Sequence, residues 1–533
     1  MTSLSIFLRL FAALWSIRTT KNILLYLYLW QLKEYHVGRF VDHFRTSKGK
    51  KVLLNNIVLA KIMCLVILAV YIFFDLTFNN FLFYISVIVA VIYALESASF
   101  LIGVWRNSFK RPVLTKKSSL LIFIGLASEI IFFFTTAAMS DSIYVLIFWM
   151  IFFDVWLPVV VSVIVLFVQP FTVLVRKSIL KKAENKRKEN KNLKVIGITG
   201  SYGKTSTKEF LAAILSSKYN VLKTREHQNS EIGIASCILA ELKPEHEIFI
   251  VEMGAYNKGK IKEVCDMVRP EIGIITGANE QHLALFGSIA NLISAEGGIE
   301  LANSLPKNGT IIINSDTKLI SEIKDKLPID KEKIFVSSDI AENVFIEPEF
   351  ISFRTKGVDF KINAAGGFNI VNALMAIAVA SKLEMSSEEI SKAARNIKLE
   401  QGSINIIENR NGIIFLDSSY SANPDGVIAD LDYLNIYNGK KVVIMPSLIE
   451  LGPAGKVVHQ RIGKRISEVC DLAIITSKDG FNDIKAGAGD FKEVYLIENP
   501  ENVVKKINEF CNKVDAVLFE SRIPSEIISK LKL

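Results

Sequence analysis

Four apolar runs fill most of positions 55–168: Asn55–Phe74, Phe81–Val104, Ser118–Ala137 and Ile143–Val168. Each is long enough to cross a bilayer, which takes about 20 residues. A bilayer interior offers backbone groups no water, so such runs fold as helices and set an all-α transmembrane domain at 1–175. Leu4–Leu32 is apolar too, but Arg9, Arg18 and Lys21 interrupt it, which fits a tilted span or an interfacial helix. No small-residue cleavage site follows it, so a removed signal peptide is not expected. Lys33–Lys51, Arg106–Lys117 and the stretch after Val168 are rich in Lys and Arg, whereas Asp75–Asn80 and Met139–Asp141 carry none. The positive-inside rule then predicts a multi-pass cell-membrane protein with everything after residue 170 in the cytoplasm. Glu96, Glu129 and Asp154 fall in separate spans, and Lys61, the one basic residue within the four, lies at a depth that pairs it with Glu96. Buried acids of this kind mark a polar cavity or pairing between helices.

The net charge of +9 does not point to nucleic acid. Residues 176–194 hold nine Lys and Arg against two Glu, so most of the excess sits in one basic linker beside the membrane. The five cysteines have neither paired nor metal-ligand spacing, which fits reduced thiols in the cytoplasm.

Beyond the linker, strands alternate with helices as in a parallel α/β sheet. The apolar run Val195–Thr199 leads into Gly200-Ser201-Tyr202-Gly203-Lys204-Thr205-Ser206, and Phe210, Leu211, Ile214 and Leu215 follow at helical spacing. Strand, glycine loop and helix in this order make a phosphate site. Loop N–H groups face the anion, the helix N-terminus adds positive potential, Lys204 reaches a terminal phosphate and Thr205 can hold Mg²⁺. Two further strands end near Glu252 and before His282, on the side where such sheets bind ligands. Both residues can meet Mg²⁺ beside the phosphates.

ITGSYGKTSTKE resembles the ATP loop of the Mur ligases, which join amino acids or peptides to cell-wall precursors. VEMGAYNKGKI, NEQHLALFGS, SLPKNGTIIINSD, GGFNIVNALMAIAVA, DSSYSANPDG, LIELG with His459, and VLFESRIP resemble successive signatures of its D-alanyl-D-alanine-adding members, in their order. The resemblance runs from Val195 to the C-terminus. It implies a central P-loop ATPase domain (195–400) and a C-terminal Rossmann-like domain (401–533). It further implies ATP and Mg²⁺ as cofactors, with Lys204 on phosphate and Thr205, Glu252 and His282 serving the metal. Asn369 and Asn372 would lie near the nucleotide, and Asn229, Asp417, Tyr420, Asn423 and His459 at the substrate. The implied chemistry is amide formation through an acyl phosphate. Its implied partners are a cell-envelope precursor and an amino acid or short peptide amine.

Three positions depart from the family pattern. Gly298 stands where the family has a carbamylated lysine, Ser403 where it has an arginine, and Ser418 where it has a second aspartate. Glu296 is a nearby carboxylate, but two residues is about 200° round a helix. It faces the site only if Gly297-Gly298 breaks that helix. Asp417 is the corresponding substitute for the missing acid. In the family a separate N-terminal domain grips the uridine nucleotide of the precursor; here membrane segments take its place, which points to a lipid-linked precursor. A membrane-anchored ATP-dependent amide ligase is the first expectation. A nucleotide-binding scaffold or regulator of an envelope complex, and an ATP-driven transporter, are the alternatives.

Overall fold

The computed structural model describes residues 3–74, 79–106, 108–225, 228–397, 404–408, 412–419 and 423–532. It divides into two compact units, Met1–Arg176 and Lys177–Leu533.

The long helices of the first unit are Ser3–Leu32, Asn56–Phe73, Asn79–Trp105, Lys116–Met139 and the start of Ile143–Glu189. Four of these are long and apolar enough to cross a membrane. Ser3–Leu32 is not among the four, yet it supplies much of the core: Phe11, Trp15, Ile23, Leu27 and Trp30 are buried. It runs parallel to Asn79–Trp105, with Phe7 5.4 Å from Phe83 and Phe11 5.5 Å from Tyr93. Arg18, which interrupts its apolar pattern, turns inward and places Nε 2.6 Å from Glu96. Lys61 Nζ lies 2.5 Å from Glu96 and 2.7 Å from Asp154, and Asn22 donates to Asp154 at 3.2 Å. Ser16 donates to Glu129 at 2.7 Å. The charges are thus spent between helices, while Leu95, Phe123, Phe134 and Phe167 point outward. An apolar exterior of that extent is suited to lipid.

The segment expected as a basic linker is part of a helix. The basic stretch 176–194 is helical as far as Glu189. Leu180 and Ala183, three residues apart, form a buried stripe in the core beneath the ATPase sheet. Lys186 and Asn190 donate to the carbonyls of Leu239 and Lys243 at 2.8 Å. Its charges therefore lie on the outer face of a docked helix.

The sheet that follows contains β1 (Lys194–Thr199), β2 (Val221–Lys223), β3 (Ile248–Glu252), β4 (Ile272–Ile275), β5 (Thr310–Asn314) and β6 (Glu332–Val336). All are parallel, in the order β2-β3-β1-β4-β5-β6. Val195, Ile196 and Ile198 of the central strand are fully buried, as expected of a sheet covered on both faces. A small antiparallel sheet follows, β7 (Glu342–Ile346), β8 (Ile351–Thr355) and β9 (Val358–Ile362). The helix Asn369–Lys382 then packs on the helix Lys204–Leu215. The division expected at 400/401 lies outside the described residues.

The C-terminal sheet contains β10 (Asn405–Glu408), β11 (Ile414–Ser418), β12 (Lys441–Met445), β13 (Leu472–Ile475), β14 (Val494–Leu496) and β15 (Ala516–Glu520). Its order is β10-β11-β15-β12-β13-β14, and only β10 runs antiparallel. At the ends of β11 and β15, Ser418 donates to Asp430 at 2.5 Å, and Glu520 lies fully enclosed. Burial pushes the Asp430 carboxyl up to about 6 and holds Glu520 well above the usual carboxylate range, because two adjacent buried carboxyls favour a shared proton.

That proton has a consequence for stability. The folded state keeps it above the pKa of an unfolded carboxyl, so stability falls as pH rises from about 4 through the raised folded values. Calorimetry from pH 5 to 8 is expected to show the melting temperature of the second unit falling. Glu520→Gln, whose amide supplies the missing donor, should raise the pH 8 value by about 2–4 °C. An unchanged slope in that variant would mean the pair is not protonated.

Candidate active site

The strand β1 ends at Thr199, and Gly203 carries the turn into the next helix with φ +73°. A side chain there would also put Cβ 2.6 Å from Asn372 Oδ1, so only glycine fits. No side chain caps this helix N-terminus. Its first N–H groups are therefore available to an anion. The loop is pinned from β4: Ser201 N donates to Gly277 O at 2.7 Å, and Thr276 Oγ1 to Tyr202 O at 2.5 Å. Burial pushes the Tyr202 phenol up to about 12, so it stays neutral. Lys204 folds back onto the carbonyl of Gly200. Ser206 is buried just behind it.

Two carboxylates bond this one loop. Thr205 Oγ1 lies 3.2 Å from both oxygens of Glu252, at the end of β3. Asn229 donates to the same carboxylate at 3.3 Å, and Lys208 Nζ lies 3.1 Å from it. The second carboxylate is Glu296, whose Oε2 accepts from Ser201 Oγ at 2.7 Å. It reaches the loop because its helix ends at Ala295 and another begins at Ile299. Between them Gly298 has φ +83°, and a Cβ there would sit 2.4 Å from Ile275. The break expected at Gly297-Gly298 is present, and no side chain fits at 298 as the backbone stands.

His282 stands 2.8 Å from Glu296 Oε1 through Nδ1. Burial alone would raise the Glu296 carboxyl, but His282, Lys204 and Ser201 together hold it below the usual range. An ionised carboxylate only accepts, so His282 Nδ1 carries the hydrogen of this bond. Nε2 lies 4.0 Å from Glu450, a residue of the C-terminal domain. Glu252 and His282 thus stand in two separate pairs, with Thr205 and with Glu296. Among the described residues no three His, Cys, Asp or Glu side chains form a cage. This donor set fits Mg²⁺, which takes one or two carboxylates and completes its shell with water and phosphate oxygens.

The other expected residues are distributed more widely. Asn372 and Asn369 are buried behind the loop, with Asn372 donating to Asn369 at 3.2 Å. Asn423 caps its helix and accepts from Asn279 at 3.2 Å. Asp425 beside it binds Asn279, Lys318 and Arg461, which joins the two domains. His459 is buried and accepts from Leu448 N at 3.1 Å, so it holds the loop that carries Glu450. Burial keeps its imidazole below the ordinary value and hence neutral. Asp417 accepts from the hydroxyl and N–H of Ser419, within its own turn. Tyr420 and Ser403 lie outside the described residues. Lys208, Asn279 and Glu450 escaped the sequence reading. All three lie within motifs quoted above, Lys208 one helical turn after Lys204, Asn279 at the head of NEQHLALFGS and Glu450 within LIELG.

Two family models match the chain, the Mur ligase middle domain over residues 198–380 and the Mur ligase glutamate ligase domain over 404–522. The UDP-N-acetylmuramoyl-tripeptide–D-alanyl-D-alanine ligase of Synechocystis is 30% identical over 331 residues, 61% of this chain and 71% of that protein. Its Escherichia coli counterpart is 31% identical over 282 residues, 51% of this chain and 61% of its own length. Among solved structures, MurF from Acinetobacter baumannii is similar with a TM-score of 0.61 and 26% identity, over 67% of this chain and 80% of that one. MurF from Thermotoga maritima, solved with ADP, shares the fold with a TM-score of 0.60 at 23% identity, over 67% of this chain and 83% of that one.

Lys204→Ala is expected to abolish ATP turnover while membrane insertion, followed by fractionation, is unchanged; normal turnover would remove the loop from the chemistry. Glu296→Gln should lower turnover about 10- to 100-fold, the usual effect of losing an anionic partner at a metal site. Added bicarbonate should change neither protein, since no lysine stands at 298. A fully active Gln variant would show that Glu296 only packs.

Proposed function

This chain belongs to the Mur ligase family, the ATP- and Mg²⁺-dependent carbon–nitrogen ligases of peptidoglycan synthesis, and from that premise we propose a membrane-anchored amide ligase of the cell envelope. The observation that carries this reading is the pair of carboxylates on one phosphate loop, Glu252 through Thr205 and Glu296 through Ser201. They hold two negative charges beside the N-terminus of the helix Lys204–Leu215, where ATP phosphates and a divalent ion meet.

In this reading the N–H groups of the loop cradle the phosphates, and Lys204 leaves the Gly200 carbonyl for the terminal one. Mg²⁺, when bound, neutralises charge on the transferred phosphoryl group. Thr205 and Glu252 would hold one ion, and His282, oriented by Glu296, would face a second, so Glu296 would take over the anionic part that a carbamylated lysine plays in the family. The carboxylate oxygen of the precursor attacks the γ-phosphorus and ADP leaves, giving an acyl phosphate. The amine nitrogen then attacks the acyl carbon, phosphate leaves, and the nitrogen gives up its proton as the amide forms. Catalysis is positioning and charge stabilisation. Asn229, held against Glu252, is placed to meet the precursor. Asn369 and Asn372 back the nucleotide site, and Asn423 and His459 set the loops that close over it.

The carboxylate substrate in this proposal is lipid-linked and meets the enzyme at the cytoplasmic face. The family match begins at residue 198, and the preceding unit holds four helices apolar enough for a bilayer. Remote binding energy is needed to position the reacting carboxylate, and this unit is the part of the chain able to supply it. The test compares the full chain with the unit Lys177–Leu533, which retains Leu180 and Ala183 in its core. Phosphate release and amide formation are followed with UDP-linked and lipid-linked peptide precursors and a panel of amines. The full chain should show amine-dependent phosphate release and favour the lipid-linked form. The shortened protein should lose roughly 10-fold or more of that preference. Equal rates for both proteins on both precursors would reduce the helices to an anchor. ATP binding without turnover under any amine would make the protein a scaffold.

A further inference from the structure

The first unit contains a cavity of about 440 Å³ between its helices, lined by four cations, Arg18, Lys21, Lys51 and Lys61, against two carboxylates, Glu96 and Asp154. Arg18 and Lys61 are already engaged with those carboxylates. The ammonium groups of Lys21 and Lys51 make no hydrogen bond or ion pair among the described residues; Lys51 is exposed and Lys21 half-buried. A half-buried ammonium beside apolar helices, as at Lys21, is costly unless an anion or water meets it. The engaged pairs serve a different purpose: they hold Arg18 and Lys61 rigidly, so the wall behind the two free lysines is fixed.

We propose that this cavity seats the phosphate or diphosphate group of a membrane lipid, with Lys21 and Lys51 as its ligands. The lining favours a lipid over a soluble phosphate. Leu95 and Ile57, both at the cavity and both exposed, continue the outward apolar surface of the helices, so an acyl or prenyl chain leaving the cavity stays on hydrocarbon-like surface. Lys51 and Asn55, also exposed, form the polar side of the mouth at the start of Asn56–Phe73. Lys61 lies five residues, about 8 Å, inside that helix. An amphipathic entrance with cations just inside suits a lipid headgroup, whereas an aqueous ion path needs no apolar flank. The assignment rests on the proposal of a lipid-linked substrate, and would make this cavity the grip on its non-reacting end.

The test uses the full chain in phosphatidylcholine nanodiscs and measures binding, so it does not depend on ligation. A fluorescent long-chain polyprenyl phosphate, the corresponding neutral polyprenol, and inorganic diphosphate alone are titrated. The polyprenyl phosphate should bind at least tenfold more tightly than the alcohol. The double variant Lys21→Gln/Lys51→Gln should lose at least tenfold of that affinity, and Lys21→Arg/Lys51→Arg should keep most of it. Lys204→Ala, whose defect lies in the ATP loop, should bind the lipid normally. If inorganic diphosphate binds as tightly as the lipid and with the same dependence on the lysines, the lipid source is overturned and the cavity serves a soluble anion. If the Gln variant binds like the wild type, the anion site itself is overturned. Charge-dependent lipid binding together with unaltered ligation of the lipid-linked precursor in the Gln variant would keep the anion site while refuting its part in gripping the substrate.

Discussion

The hydrogen bond from Ser201 to Glu296 ties the phosphate loop to the polar groups around His282. It links the phosphate loop, built on the central strand β1, to a carboxylate that stands between two short helices. Through Glu296 the bond extends to His282, and through His282 toward Glu450 of the C-terminal domain. Loop, histidine and C-terminal domain thus share one polar chain. It stays in register only while Gly298 holds its positive φ and lets Glu296 turn inward.

This arrangement accounts for a site that departs from its family. In the proposed reading Glu296 stands in for the family's lysine, and the glycine that forbids a side chain at 298 lets residue 296 turn inward. Ser418, standing where the family has an acid, donates to Asp430, a carboxylate from the following helix. Lys318 and Arg461 converge on Asp425 at the contact of the two domains.

Much of this was legible from residue order. The strand–glycine loop–helix pattern, the parallel sheet and the apolar spans follow from period and length, which local physics determines. The pairing of Lys61 with Glu96 followed from their depth in neighbouring spans. Other features depend on packing that no local pattern carries. Glu296 faces the site because of one backbone angle, where regular helical geometry places it on the opposite side. Lys208 is buried against Glu252, although lysine is ordinarily a surface residue. The stretch after Arg176 seemed a linker because its charge outweighed a short apolar stripe, yet Leu180 and Ala183 dock it on the ATPase core. Ser3–Leu32 fell short of the ordinary pattern of a span because its charges face inward, where Glu96 and Asp154 receive Arg18 and Asn22.

The central claim is that an ATP site without a carbamylated lysine works through Glu252 and Glu296 on one loop. Anomalous diffraction from the protein bound to Mn²⁺ and a non-hydrolysable ATP analogue tests it most directly, since Mn²⁺ substitutes for Mg²⁺ and scatters strongly. The account predicts the phosphates on the N–H groups that follow Gly203, one ion beside Thr205 and Glu252, and a second facing His282 with Glu296 against its ring. Phosphates bound elsewhere, or His282 and Glu296 both turned away from any ion, would contradict it.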